Sequence, residues 1–386
     1  MKTDYLEVNS RAGDNAFITK KLLAEVRALG EKEANRRGRR VRIMEVCGTH
    51  TVSFARSGIA SLLEDTIDLR SGPGCPICVT HQRDLDTMLS LARLKNVVIV
   101  TFGDMVRIPG SLTTLEREKA RGAAVHICYS PMEALEQATR FPRQEVVLLG
   151  VGFETTSPAI GTVLIEAKKQ QLTNLSIYSM LKIIPPALDA LFTVYHSELD
   201  ALILPGHVST VLGRKAFNFI AEKFGLPAVI TGFEPLDLLI GLFQVLQCLR
   251  EEKASVLNAY THVVKEEGNP FAMEIINKCF LRDKVLWRGF GAIPGSGLSI
   301  APFWESFDAK KKFASVLPEL SADTEETIKE KCRCGEIVTG RLLPPECPFF
   351  GKSCSPLSPM GPCMVSSEGA CAAYYLHRGG YQNQTT

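Results

Sequence analysis

From Val41 onward the chain alternates short apolar, β-branched runs with longer stretches of helical periodicity. The runs are Val41–Val46, Val97–Phe102, Val125–Tyr129, Val146–Val151, Leu175–Met180, Ala201–Leu204 and Ala228–Ile230. Several are almost continuously apolar, the pattern of strands buried on both faces of a parallel sheet. Between them, Arg83–Leu94, Met132–Arg140, Ala159–Gln171, Pro186–Ser197 and Pro235–Arg250 place apolar residues at helical spacing. Such alternation predicts βαβ units and an α/β fold, and the seven strands suit two small parallel sheets better than one. Ahead of this region, Ala16–Arg37 predicts an amphipathic helix with Leu22, Leu23, Val26 and Leu29 on one face. Its basic end, Arg36-Arg37-Gly38-Arg39-Arg40, reads as a solvated helix terminus that suits the negative pole of the helix dipole.

The strands run into polar turns of one kind: Cys47-Gly48-Thr49-His50, Gly103-Asp104-Met105, Gly152-Phe153-Glu154-Thr155-Thr156, Pro205-Gly206-His207-Val208-Ser209 and Gly232-Phe233-Glu234-Pro235. In open α/β sheets ligands bind beyond the carboxyl ends of the strands. Any one turn can be a plain helix cap, and Asp104, Thr155 and Ser209 suit that role. Together they bring acids, hydroxyls and imidazoles to one edge, which points to a functional crevice. His50 and His207 are its first candidates, followed by Asp104 and Glu154, although either histidine alone could be structural.

Sulfur changes the picture further. Cys47 closes the first apolar run, and Gly72-Pro73-Gly74-Cys75-Pro76-Ile77-Cys78 holds a Cys-x-x-Cys in a rigid turn before a helix-like stretch from Thr80. A thiol at a helix start gains from the backbone N–H groups, which favours its thiolate. Cys47, Cys75 and Cys78 within reach of one another would suit iron or copper, or redox exchange. The bland alternative is three ordinary buried cysteines. After Trp287 the composition shifts. Ser321–Lys331 is charged and helix-like, and Cys332 to Cys371 then holds six of the twelve cysteines in a segment rich in Pro, Gly and Ser. Too little apolar material is present there for a separate core, so a metal centre is the expected constraint. Zinc sites favour paired short knuckles, which are missing. Irregular single cysteines followed by Pro or Gly fit an iron–sulfur cubane better, with zinc, disulfides or free thiols as alternatives.

With 386 residues, two or three domains are expected. An apolar fraction of 45% and a charged fraction of 22% are those of a globular protein, and a net charge of +2 suggests neither nucleic acid nor an anionic membrane as partner. The polar start, Met1 to Gly13, has no apolar core of a signal peptide, and no run of about 18 apolar residues would span a bilayer. A cytoplasmic setting is therefore expected, where cysteines serve as metal or redox ligands. No Gly-x-Gly-x-x-Gly follows a strand and no Gly-Lys-Ser/Thr loop occurs, so ATP and NAD chemistry are not expected of this chain. Gly291-Ala292-Ile293-Pro294-Gly295-Ser296-Gly297 reads as a linker or turn.

The turns at Cys47–His50, Gly72–Cys78, Thr101–Met105, Gly152–Thr156 and Leu204–His207, together with Cys363-Met364-Val365-Ser366-Ser367-Glu368-Gly369-Ala370-Cys371, resemble the HypD family of [NiFe]-hydrogenase maturation factors. The resemblance runs from about Arg42 to Tyr375 and shows no departure at the cysteines. It implies a scaffold on which iron acquires two cyanides and one carbon monoxide before delivery to the hydrogenase large subunit. The implied partners are the chaperone HypC, whose N-terminal cysteine shares the iron, and HypE, which donates cyanide. Two similar α/β domains facing a cleft are implied, with a third domain carrying a [4Fe-4S] cluster like that of ferredoxin:thioredoxin reductase. The expected division is 1–143, 144–285 and 286–386. Carried over, Cys47, Cys75 and Cys78 belong to the iron site, while Cys332, Cys347, Cys354 and Cys371 would hold the cluster. Cys334 and Cys363 are left as neighbours or a redox-active pair, and the first ligand could be Cys332 or Cys334. His50, Thr49, Thr155 and backbone N–H groups are the expected donors to the diatomic ligands. A thiol–disulfide oxidoreductase and a purely structural docking metalloprotein are the competing readings.

Overall fold

The computed structural model describes residues 12–195, 198–315 and 332–378. All seven expected strands form, with bounds moved by a residue or two: β1 Val41–Glu45, β3 Val97–Thr101, β4 Ala124–Ile127, β5 Glu145–Gly152, β6 Leu175–Leu181, β7 Ala201–Pro205 and β8 Ala228–Thr231. Four more accompany them: β2 Ile67–Ser71, β9 Val256–Asn258, β10 Phe280–Trp287 and β11 Gly291–Ile300. One parallel sheet has the order β2-β1-β7-β8-β9, a second the order β4-β3-β5-β6, and β10 pairs with β11 as an antiparallel hairpin. The expected α/β class with two parallel sheets is therefore present.

Sheet membership departs from the 143/144 boundary. The chain starts the first sheet with β1 and β2, builds the whole second sheet, then returns to pair β7 against β1 with Ile43 opposite Ala201. A cut at 143 would divide β4 from β5 within the second sheet. Strand pairing, which no local pattern encodes, decides this partition. The Gly291–Gly297 segment is likewise a strand and not a linker. A side chain at Gly297 would place its Cβ 2.3 Å from Val285 Cγ1, and a two-stranded hairpin tolerates Pro294 because it has free edges. β2 escaped the pattern because Ile-Asp-Leu-Arg-Ser interrupts its apolar residues with Asp68 and Arg70, which are buried as an ion pair at 2.8 Å. The helix expected at Ser321–Lys331 lies outside the described residues.

The basic run after the first helix is more than a solvated end. Arg37 and Arg39 reach the buried Asp200 at 2.8 and 2.7 Å, and the same carboxylate accepts from Arg42 N–H at 2.8 Å. One apolar cluster runs from Met44 and Ile99 through Cys75, Cys78 and Trp287 to Ile337, Phe350 and Cys363. The Cys-rich segment thus shares the core of the sheets instead of building its own. Among the described residues no helix is long and apolar enough to cross a membrane.

Both parallel sheets have a point where the chain reverses its direction of growth. In the first sheet it lies between β1 and β7, in the second between β3 and β5. At such a point the flanking connections leave on opposite sides, and ligands in open α/β sheets bind beyond the carboxyl ends of the two strands. Cys47 follows β1 and His207 follows β7, while Asp104 follows β3 and Glu154 follows β5.

Candidate functional site

Cys47 is the extended residue at the start of the helix Gly48–Arg56, directly after β1. Gly48 N–H donates to Gly74 O at 3.1 Å, and a Cβ on Gly74 would fall 2.3 Å from Cys47 N and 2.4 Å from its Cα. Only glycine allows this approach, so the Gly-Pro turn bearing Cys75 and Cys78 rests on the Cys47 backbone. Cys75 and Cys78 are joined as a disulfide, and Cys78 N–H lies 3.1 Å from Cys75 Sγ. The two thiol motifs expected to meet are neighbours.

Burial overrides the helix start at Cys47. The residue is 7% exposed, and desolvation pushes its thiol up to about 12, against the backbone N–H of His50. A thiol is therefore the resting form although Cys47 opens a helix, because loss of water outweighs the local dipole. Beside it, Glu45 is buried at the end of β1, accepts from Cys47 N–H at 3.1 Å and from the Thr51 hydroxyl, and is raised by burial to about 8.

The histidines lie on the faces of one ring. Phe233 stacks on His50 at 4.6 Å and on His207 at 4.0 Å, with Tyr260 edge-on at 6.2 Å. Burial lowers His50 to about 4 and lowers His207 as well, so both are neutral at physiological pH. His50 Nε2 lies 2.9 Å from Gly232 O, a pure acceptor, so Nε2 carries the proton and buried Nδ1 is a lone pair with no partner. His50 is thus committed as a donor to the backbone and does not offer an N–H to a diatomic ligand. The Thr49 hydroxyl is also taken, donating to Glu368 at 2.8 Å. Thr155 is exposed at its own turn.

Asp104 acts at a distance from its strand. One carboxylate oxygen accepts from Ser367 N–H and Oγ, each at 2.9 Å, and lies 3.5 Å from Ser366 Oγ. Ser366 Oγ is in turn 3.4 Å from Cys75 Sγ. A Cβ on Gly48 would fall 2.4 Å from Glu368 Cβ. Ser366-Ser367-Glu368 therefore fastens the Cys-rich segment onto Cys47-Gly48-Thr49, Cys75 and Asp104 at once. Glu154 leaves this group: its Oε1 accepts from Ile184 N–H at 2.9 Å, and it lines a separate cavity with Arg282.

Cys332, Cys334, Cys347, Cys354, Cys363 and Cys371 line a single apolar pocket with Ile337, Phe349, Phe350, Met360 and Met364. Cys332 touches Cys334, Cys334 touches Cys363, and Cys363 touches Cys371. Contact with Cys334, then burial, holds the Cys332 thiol well above its ordinary range. The bond to Cys332 lowers the Cys334 thiol, but contact with Cys363 and burial prevail and raise it. Cys334 Sγ stands 3.9 Å from Cys78 O, which places the Cys-rich pocket against the backbone of the Cys75/Cys78 turn. Among the described residues no three His, Cys, Asp or Glu side chains are already gathered as a metal-ligand group. The donor set nevertheless fits an iron–sulfur cluster: soft sulfurs only, drawn from loops and short helices into a shielded apolar pocket.

Sequence reasoning quoted Phe233 and Ser366-Ser367-Glu368 within its motifs but gave no role to them or to Glu45. Glu45 had a signal, an acid ending an otherwise apolar strand, where charge is rarely buried without a reason. Phe233 looked like one more apolar residue, and the clamp depends on contacts across more than 260 residues.

The family model described as HypD, hydrogenase formation hypA family, matches residues 18–378. The chain is 41% identical over 363 residues to the hydrogenase maturation factor HypD of Rhodobacter capsulatus, covering 94% of this chain and 96% of that protein. Identity to the HypD of Escherichia coli is 41% over 341 residues, 88% of this chain and 90% of the other. For the HypD of Cupriavidus necator it is 36% over 371 residues, 93% and 94% of the two chains. With its thiol motifs meeting at the edge of the first sheet and this likeness running through nearly the whole length, the chain belongs to the HypD family of hydrogenase maturation factors.

Proposed function

We propose that this chain is a cytoplasmic scaffold on which the Fe(CN)₂CO group of a [NiFe] centre is assembled. In this reading it works in complex with HypC, takes cyanide from HypE, and passes the loaded iron on toward the hydrogenase large subunit. The observation that carries the proposal is the contact of Gly74 with the Cys47 backbone, which sets Cys47 beside the Cys75/Cys78 turn. Low-spin iron bearing cyanide and carbon monoxide is substrate here, and it needs soft, electron-donating partners such as thiolates.

The residues impose an order on the chemistry. As a disulfide, Cys75 and Cys78 have no free thiol, so the pair must take up two electrons and two protons before either sulfur can ligate iron. Cys47, a buried thiol, must lose its proton as iron binds, which ties loading to proton release. His50 and His207, neutral on either side of Phe233, add no positive charge to the crevice. Ser366 holds its hydroxyl against Cys75.

Cys332, Cys347, Cys354 and Cys371 would hold a [4Fe-4S] cluster, with Cys334 and Cys363 as an adjacent thiol pair. When bound, such a cluster would supply electrons one at a time to a nearby disulfide, two being needed to reduce it. The contact of Cys334 with the carbonyl of Cys78 supports a role of these thiols in keeping the Cys75/Cys78 pair reduced.

Cys75→Ala should abolish retention of the Fe(CN)₂CO group in the HypC complex, read from its infrared cyanide and carbon monoxide bands. Bands of undiminished intensity would overturn the assignment. The Cys75–Cys78 disulfide favours a second reading, a thiol–disulfide oxidoreductase of the ferredoxin:thioredoxin reductase type. It requires the isolated protein to reduce a disulfide substrate catalytically, which the scaffold reading does not.

A further inference from the structure

Glu154 follows β5 in the Gly-Phe-Glu-Thr-Thr turn and lies apart from the thiols. Oε1 accepts from Ile184 N–H at 2.9 Å, while Oε2 is buried without a partner. The residue is 2% exposed and lines a cavity of about 250 Å³ with apolar walls that include Ile183, Ile276, Phe280 and Leu298. Arg282 and Asn277 are exposed and border the same cavity. A buried oxygen with no hydrogen bond is costly, and a cavity with polar lining will not stay dry.

The lining selects among ligand chemistries. A carboxylate ligand would face the Glu154 charge. A cation would meet Arg282, which borders the same cavity. A neutral head that carries both an N–H donor and a carbonyl satisfies both ends, and an aliphatic body suits the walls. We propose that this cavity is a binding site for a small aliphatic primary amide, whose N–H donates to Glu154 Oε2 and whose carbonyl faces Arg282. The site is separate from the thiol crevice and does not depend on the function assigned to it.

Isovaleramide is the probe, with isovalerate and isoamylamine carrying the same tail on an anionic and a cationic head. Binding to the purified full chain is followed by saturation-transfer NMR above pH about 7, where Glu154 is mostly carboxylate. The amide should bind with Kd on the order of 1–10 mM, as expected for so few atoms, and the other two should bind more weakly. Glu154→Gln keeps the side-chain shape and the bond from Ile184 but turns a donor toward the cavity, so amide affinity should fall about tenfold or more. Arg282→Met changes an exposed residue, which protects the fold, and should weaken the amide severalfold. The inference is overturned if the wild-type chain binds no amide, so that the cavity holds water only. It is overturned equally if either probe lacking the amide binds better, or if the Gln variant binds as the wild type does. Should Glu154→Gln fail to fold, unchanged affinity in Arg282→Met overturns it.

Discussion

Removing the carboxylate of Asp104 should detach the clamp that holds the Cys-rich segment on the crevice. Two of its bonds to Ser367 are short, 2.9 Å each, and the approach to Ser366 Oγ at 3.5 Å adds little. Bonds to a charged acceptor are worth about 1.5–3 kcal/mol when buried, and closer to 1 kcal/mol each where solvent reaches Ser367. Asp104→Ala therefore costs about 2 kcal/mol at this contact, which raises the open population of the segment about 30-fold. Hydrogen exchange read by mass spectrometry on peptides spanning 361–371 measures that population. Protection at Ser367 and Glu368 should drop by about that factor while β3 and β5 keep theirs. Asp104→Asn, which retains an acceptor oxygen, should fall between. Unchanged exchange in 361–371, or equal loss throughout both sheets, would refute the clamp.

Gly74→Ala puts a methyl group onto the Cys47 backbone, which cannot swing aside as a side-chain end would, so the Cys75/Cys78 turn should shift away. The expected result is lower stability by about 1–3 kcal/mol in urea and loss of iron retention, and a wild-type unfolding midpoint contradicts it. Phe233→Leu removes the ring shared by His50 and His207 and should cost about 1–3 kcal/mol, counting about 0.5–1.5 for each stacked pair. An unchanged urea midpoint would show that the stacking is incidental. Glu118 sits between Arg93 and Arg121, each at 3.0 Å, and the bond from Arg93 is the main cause that holds its carboxyl down at about 2. Because the folded value is depressed, its stabilisation is complete above the unfolded value of about 4.3 and fades as pH falls toward about 2. Glu118→Gln should flatten the acid limb of stability in that window, and a limb of unchanged slope counts against this pairing.

What the sequence determined by itself was local. Most of the seven strands could be read from near-continuous apolar runs because β3, β5, β6, β7 and β8 are buried along nearly their whole length, and the motifs at Cys47–His50 and Gly72–Cys78 stood out because Cys, Gly and Pro each constrain their neighbourhood. The six clustered cysteines marked a pocket for the same reason. Tertiary structure alone decided which strands share a sheet, since β1 finds β7 at a sequence separation of 158 residues, Ile43 opposite Ala201, and no run of residues announces its partner. It also decided that Cys47 rests as a thiol, that His50 spends its N–H on Gly232, and that Asp104 clamps Ser367 while Glu154 faces another cavity. Desolvation and hydrogen-bond partners are set by what the rest of the chain places beside a group, and neither quantity exists until the chain has folded.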